Sequence, residues 1–182
     1  MTGYDERPAV DRAPITNTPS VTGGTDRAPT PLAAALWYAS QGLRVFPLQR
    51  GAKTPIKGSH GFKDATADPD QICRWWDVYK VANVGIATGH LVDVVDIDGP
   101  DGQATVDAME DLPPVLGVVA TPRGRHLYLA ARGLPNRAGT FPHVDTRGAG
   151  GYVVAPPSVV NGRPYTWERR LILDGGARGE IR

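Results

Sequence analysis

Cysteine is nearly absent from this chain. Cys73 is the single one among 182 residues, so no intrachain disulfide can form and Cys-rich structural zinc sites are excluded. Histidine is scarce too: His60, His90, His126 and His143 are too scattered to replace the missing thiolates, and no zinc is expected. No apolar run approaches the roughly 18 uninterrupted residues of a membrane span, which excludes a membrane partner of that kind. The first residues lack a basic start followed by an apolar stretch, so we expect a cytoplasmic protein. Charge of one sign is not in excess either. Twenty Lys and Arg against 19 Asp and Glu give a net charge of +1, which fits neither a histone-like nor a strongly acidic protein.

The length suits one main domain. Residues 1–31 hold five prolines and only scattered apolar side chains, a composition that buries too little surface to offset the entropy of ordering. We expect a disordered arm over 1–31, a folded domain over 32–175 and a tail over 176–182. Thr30 as a cap, Pro31 in the first turn, and Leu32, Ala35, Leu36 and Ala39 at helical spacing predict a helix ending at Gly42. Residues 43–48 read as a strand, followed by a loop over 50–58 that carries Lys53 and Lys57. Asp68, Pro69 and Gln71 signal a second helix, leading into Ile72, Trp75 and Trp76. A buried strand over 91–98 and a helix over 101–110 follow. Residues 115–120 and 126–131 read as a hairpin, with further strands over 152–155 and 165–167. The mixture is α plus β, without an internal repeat.

Charge is segregated along the chain. Residues 93–111 carry seven acids and no base, and residues 123–170 carry eight Arg and two acids; the plain reading is a pair of solvated faces. Asp96-Ile97-Asp98 closes the 91–98 strand, where a period of two sends both carboxylates to one side and Val95 and Ile97 to the other. Like charges so placed repel unless a cation neutralises them, and hard ions such as Mg²⁺ or Mn²⁺ are the natural partners. The plain alternative is a polar strand end running into the turn at 99–102. A calcium EF-hand loop is excluded, because Asp101 stands where that loop requires Gly.

Gly124-Arg125-His126 offers a His and an Arg that could grip phosphate oxygens, although a lone His at a strand start is commonly an ordinary satisfied side chain. In the stretch 144–158, glycines permit close backbone approach to a ligand, Asp145 could complete a carboxylate triad, and Arg147 would oppose a phosphate. A tight loop leading into a strand would need the same glycines. A dinucleotide fingerprint fails because its last glycine falls on Val153, and no Walker A loop surrounds Lys53.

In this order, the segments resemble the bifunctional primase/polymerase domain of mobile elements, a branch of the archaeo-eukaryotic primase superfamily. That family's Asp-x-acid pair, small-x-His triplet and hydrophobic-Asp pair are met by Asp96-Ile97-Asp98, Gly124-Arg125-His126 and Val144-Asp145. Tyr38-Ala39, Val45-Phe46-Pro47-Leu48, Lys53-Thr54-Pro55, Asn83 to Gly89, and Arg147 to Ser158 are similar as well. The resemblance implies an α/β fold: a primase-type catalytic core with an RNA-recognition-like sheet beside a smaller N-terminal α/β unit, the cleft lying between them. It implies template-directed nucleotidyl transfer, as DNA primase and DNA polymerase, in a mobile-element or phage-type replication system. Asp96, Asp98 and Asp145 would hold two catalytic Mg²⁺ or Mn²⁺ ions. His126 and Arg147 would contact the triphosphate of the incoming nucleotide, with Lys53, Lys57, Arg125 and Ser158 as further nucleotide-binding candidates. The implied partners are NTP or dNTP substrates, a single-stranded DNA template, and a helicase in cis or in trans. Two other readings stay open on the residues alone: a metal-dependent nuclease or phosphoesterase, and a non-catalytic module that binds single-stranded DNA.

Overall fold

The computed structural model describes residues 29–173; the arm expected at the N-terminus, up to residue 28, and the tail over 176–182 lie outside the described residues. The Thr30 hydroxyl accepts the Ala33 N–H at 3.2 Å, and Pro31, with its φ already helical, opens α1, Pro31–Ser40. Gly42 follows at a positive φ of 82°, and the chain enters β1, Val45–Leu48. A loop and a single 3₁₀ turn, Gly61–Asp64, lead to α2, Pro69–Val78, capped by the Asp68 carboxylate on the Asp70 N–H. Then β2, Asn83–Ala87, pairs antiparallel with β1.

The chain next builds a larger sheet. In order come β3, Val92–Asp98; α3, Gly99–Asp107; β4, Val115–Ala120; β5, Gly124–Ala130; β6, Arg137–Phe141; and β7, Val144–Arg147. After β8, Tyr152–Ala155, a small ribbon of β9, Val159–Val160, and β10, Arg163–Pro164, precedes β11, Thr166–Arg169. The large sheet runs β11-β4-β5-β3-β7-β6 with every neighbour antiparallel. β8 crosses back to pair with β2 and completes a three-stranded sheet, β1-β2-β8. The N-terminal α/β unit therefore does not close on its own residues: its third strand comes from the far end of the domain.

Two differences from the sequence expectation have local causes. α3 starts at Gly99 rather than at 101, because Pro100 suits the first helical turn. Val144–Arg147 is a strand inside the large sheet rather than part of a glycine loop, since its Val and Thr side chains are buried on the face covered by α3.

Alternation along β3 gives the large sheet two faces. Val95 and Ile97 pack with Leu127, Leu129 and Val144 beneath Val106 of α3. Val92 and Val94 point the other way, with Tyr128 and Val119, into the main core shared with α1, β1, α2 and β2. Burying each such side chain contributes roughly 1.5–3 kcal/mol. Among the described residues no helix is long and apolar enough to cross a membrane.

Candidate functional site

Where the apolar part of that inner face ends, three strands bring polar side chains into one row. Asp145 of β7 lies opposite Asp96 of β3, which lies opposite His126 of β5. Directly facing residues in antiparallel strands stand about 4.5–5.5 Å apart at Cβ, so these three are immediate neighbours. His126 Nε2 is 3.4 Å from Asp96 Oδ1. Arg147, two residues on from Asp145 and hence on the same face, reaches back with one Nη2 at 2.7 Å from Asp145 Oδ2 and 3.7 Å from Asp96 Oδ2. The second Asp145 oxygen accepts the Gly139 N–H at 2.7 Å. Asp98 stands further out on the same side of β3, where Arg123 donates to its Oδ2 at 3.0 Å.

Asp96, His126 and Arg147 line a cavity of about 250 Å³ whose walls include Lys53, Asn136, Tyr152 and Tyr165. The Tyr152 hydroxyl donates to the Lys53 carbonyl at 3.1 Å and ties the 49–58 loop to the site. Tyr165 lays its ring against His126, with centroids 5.7 Å apart. Burial, then the charge of Asp96, pushes the Tyr165 hydroxyl up to about 12 against the pull of Arg123, so it keeps its proton and serves as a donor. Burial also works to raise the Asp96 carboxyl. The hydrogen bond and charge of His126, followed by Arg147 and Lys53, outweigh it and hold Asp96 below the usual carboxylate range.

Asp93 shapes the wall from the opposite face of β3. Its buried carboxylate accepts the N–H groups of Arg132 and Leu134 at 2.8 and 3.0 Å, fixing the loop that presents Asn136. A Cβ on Gly148 would lie 1.7 Å from the Leu134 oxygen, and one on Gly151 2.4 Å from Asn136 Oδ1. These two glycines thus serve the approach of one loop to another.

In donor type, three carboxylates on one sheet face fit a hard divalent cation. Their arrangement is not a ready cage: among the described residues no three His, Cys, Asp or Glu side chains converge to hold a metal. Each acid is matched by the chain's own cations, Asp145 and Asp96 by Arg147, and Asp98 by Arg123. Binding a metal would require these arginines to swing away.

Of the residues singled out by sequence, Asp96, Asp145, His126, Arg147 and Lys53 come together, and Asp98 stands on their rim. Three others do not join them. Arg125 follows the opposite alternation from His126 and projects on the α3 side, donating to Glu168 Oε2 at 2.8 Å and to Gln103 at 3.0 Å. Ser158 is buried, its hydroxyl accepting the Val84 N–H at 2.8 Å. Lys57 lines a different hollow. Tyr165, Tyr152 and Asn136 were not singled out, because each reaches the cleft only through long-range pairing; the alternation of Tyr165 with Trp167 was the one available signal. A family model described as bifunctional DNA primase/polymerase, N-terminal, matches residues 35–175. No curated protein sequence matches the chain.

Proposed function

Because this chain belongs to the bifunctional DNA primase/polymerase, N-terminal family, we propose that its cleft carries out template-directed nucleotidyl transfer by a primase-type catalytic core. The observation that carries this reading is the row Asp145, Asp96 and His126 on adjacent strands, with Arg147 and Lys53 beside it. The site mixes anions with cations, as a site must that handles both a metal and a triphosphate. Asp96, Asp98 and Asp145 would hold Mg²⁺ or Mn²⁺, which when bound supplies charge neutralisation at the phosphoryl oxygens and a more acidic attacking 3′-hydroxyl.

The chain's own residues do the rest. Arg147 and Lys53 offer cations to the triphosphate; the planar guanidinium suits two phosphate oxygens, and the ammonium acts as a point charge. His126, buried and braced by Tyr165, turns its Nε2 donor from Asp96 to a phosphate oxygen when the triphosphate enters. Tyr165, held protonated, supplies a further donor. With the triphosphate so oriented, the 3′-hydroxyl of a primer gives up its proton to solvent, its oxygen forms a bond to the α-phosphorus, the bond to the α,β-bridging oxygen breaks, and pyrophosphate leaves. The same reading implies NTP or dNTP substrates, a single-stranded DNA template, and a replication system of mobile-element or phage type with a helicase in cis or in trans.

Metal-dependent primer extension tests the reading. Asp96→Ala and Asp145→Ala are each expected to lower extension about 100-fold or more while the parent extends; equal activity in all three overturns it. The pairing of every acid with an arginine or histidine favours the non-catalytic DNA-binding reading as the second choice, and a parent that binds DNA yet never extends a primer would select it.

A further inference from the structure

Lys57 stands on the same loop as Lys53 but serves a second hollow. This one measures about 150 Å³ and is lined by Phe46, Ile56, Lys57, Asp64, Trp75 and Tyr79, among others. In size this open, partly polar hollow matches the ~150 Å³ that holds a benzene ring, the room needed by one planar six-membered ring. Trp75 and Tyr79 stand one helical turn apart at the end of α2, the Tyr79 N–H donating to the Trp75 carbonyl at 2.8 Å. Tyr79 is 38% exposed, an aromatic face open to a ligand.

Charge points to a polyanion. The loop and turn over 49–64 carry Arg50, Lys53, Lys57 and Lys63 against the single acid Asp64. Both Asp64 oxygens are already engaged by His60, at 2.7 Å by its N–H and at 3.0 Å by its ring. Among the described residues Lys57 has no ion-pair partner. The hollow also shares a wall with the cleft. Gly61 faces the hollow and Phe62, the next residue, faces the cleft; Phe46 in the hollow meets Tyr152 of the cleft edge-on, with ring centroids 5.2 Å apart.

We propose that this second hollow takes one base of the single-stranded DNA template, stacked on Tyr79 and Trp75, with Lys57 on an adjoining phosphate. The proposal rests on the polymerase reading of the neighbouring cleft. An aromatic face accepts any base, and stacking of this kind is sequence-tolerant.

The test is binding of a fluorescently labelled oligo(dT) to the full chain, read by anisotropy across a salt series. Tyr79→Ala is expected to weaken binding about 5- to 100-fold, and Tyr79→Phe, which keeps the ring, to retain it. Lys57→Ala should reduce the salt slope by about 0.7, the share of one phosphate contact on a single strand. Affinity of the cleft for a dNTP should be unchanged in all three variants. A parent that binds no oligo(dT), or parent-like oligo(dT) binding in both Tyr79→Ala and Lys57→Ala, overturns the proposal. A parent that never extends a primer, while Tyr79→Ala still weakens oligo(dT), sinks the polymerase reading and leaves this site standing.

Discussion

The hydroxyl of Ser158 satisfies the Val84 N–H inside the core, at 2.8 Å and with the side chain almost wholly buried. A backbone N–H left without a partner there keeps its full desolvation cost, about 1–3 kcal/mol. Ser158→Ala is therefore expected to lower the free energy of unfolding by about that amount, read by urea denaturation, with nucleotide affinity of the cleft unchanged. Loss of nucleotide affinity at parent-like stability would return Ser158 to the binding role the sequence suggested. Arg147 is the opposite kind of residue. Its guanidinium is shared between two acids at 2.7 and 3.7 Å, all three side chains being largely buried, so its charge must be matched by another group once it leaves them. A triphosphate offers such a match for Arg147, whereas nothing in a ligand replaces the Ser158 contact.

Among the elements, the pairing of β3 with β5 fixes the site, and Gly124 is where that pairing is tightest. A Cβ on Gly124 would stand 2.0 Å from the Ile97 oxygen and 3.1 Å from the Gly99 nitrogen. Backbone cannot yield there without shifting the register that sets Asp96 opposite His126. Gly124→Ala should cost about 1–3 kcal/mol or more, measured by urea unfolding, and a variant as stable as the parent would show that the two strands can part locally without cost. The small residue before the x-His pair is thus required by strand contact. α1 and α2 were legible because their signals are local: Thr30 with Pro31, and Asp68 with Pro69. β6 was not, since Arg137–Phe141 is largely exposed and is held as a strand by its partner β7 rather than by its own pattern. Strand alternation already assigned Asp96 and Asp98 to one face. Applied to β5, the same rule separates Arg125 from His126, a consequence that reading the two as one phosphate grip overlooked. The meeting of β7 with β3, and hence of Asp145 with Asp96, depends on pairing across about fifty residues and left no mark in either segment.

Across the whole molecule, the net charge of +1 conceals a redistribution that folding brings about. The segment 123–170 holds half of the arginines, eight of 16, and by sequence it is the natural contact for a nucleic-acid backbone. In the fold most of these side chains are engaged. Arg123 is bound to Asp98, Arg125 to Glu168, Arg147 to Asp145, Arg163 to the Pro122 carbonyl and Arg169 to the Val115 carbonyl. Arg50, Lys53, Lys57 and Lys63 form no ion pair among the described residues, and all four lie on the loop and turn that border the cleft. A protein cation contributes to binding by displacing condensed counter-ions from the nucleic acid, and does so fully only where no carboxylate already neutralises it; each phosphate so met on a single strand adds about 0.7 to the slope of log affinity against log salt. Where all four meet phosphates of an oligo(dT), they contribute about 3 to that slope. Changing Lys53, Lys57 and Lys63 together to Gln should lower the slope by about 2. Changing Arg125 to Gln should leave it nearly where it was, because that guanidinium is already paired with Glu168. The reverse ranking, a slope governed by Arg125, would mean that its ion pair with Glu168 opens on binding and that the strand runs over the α3 face.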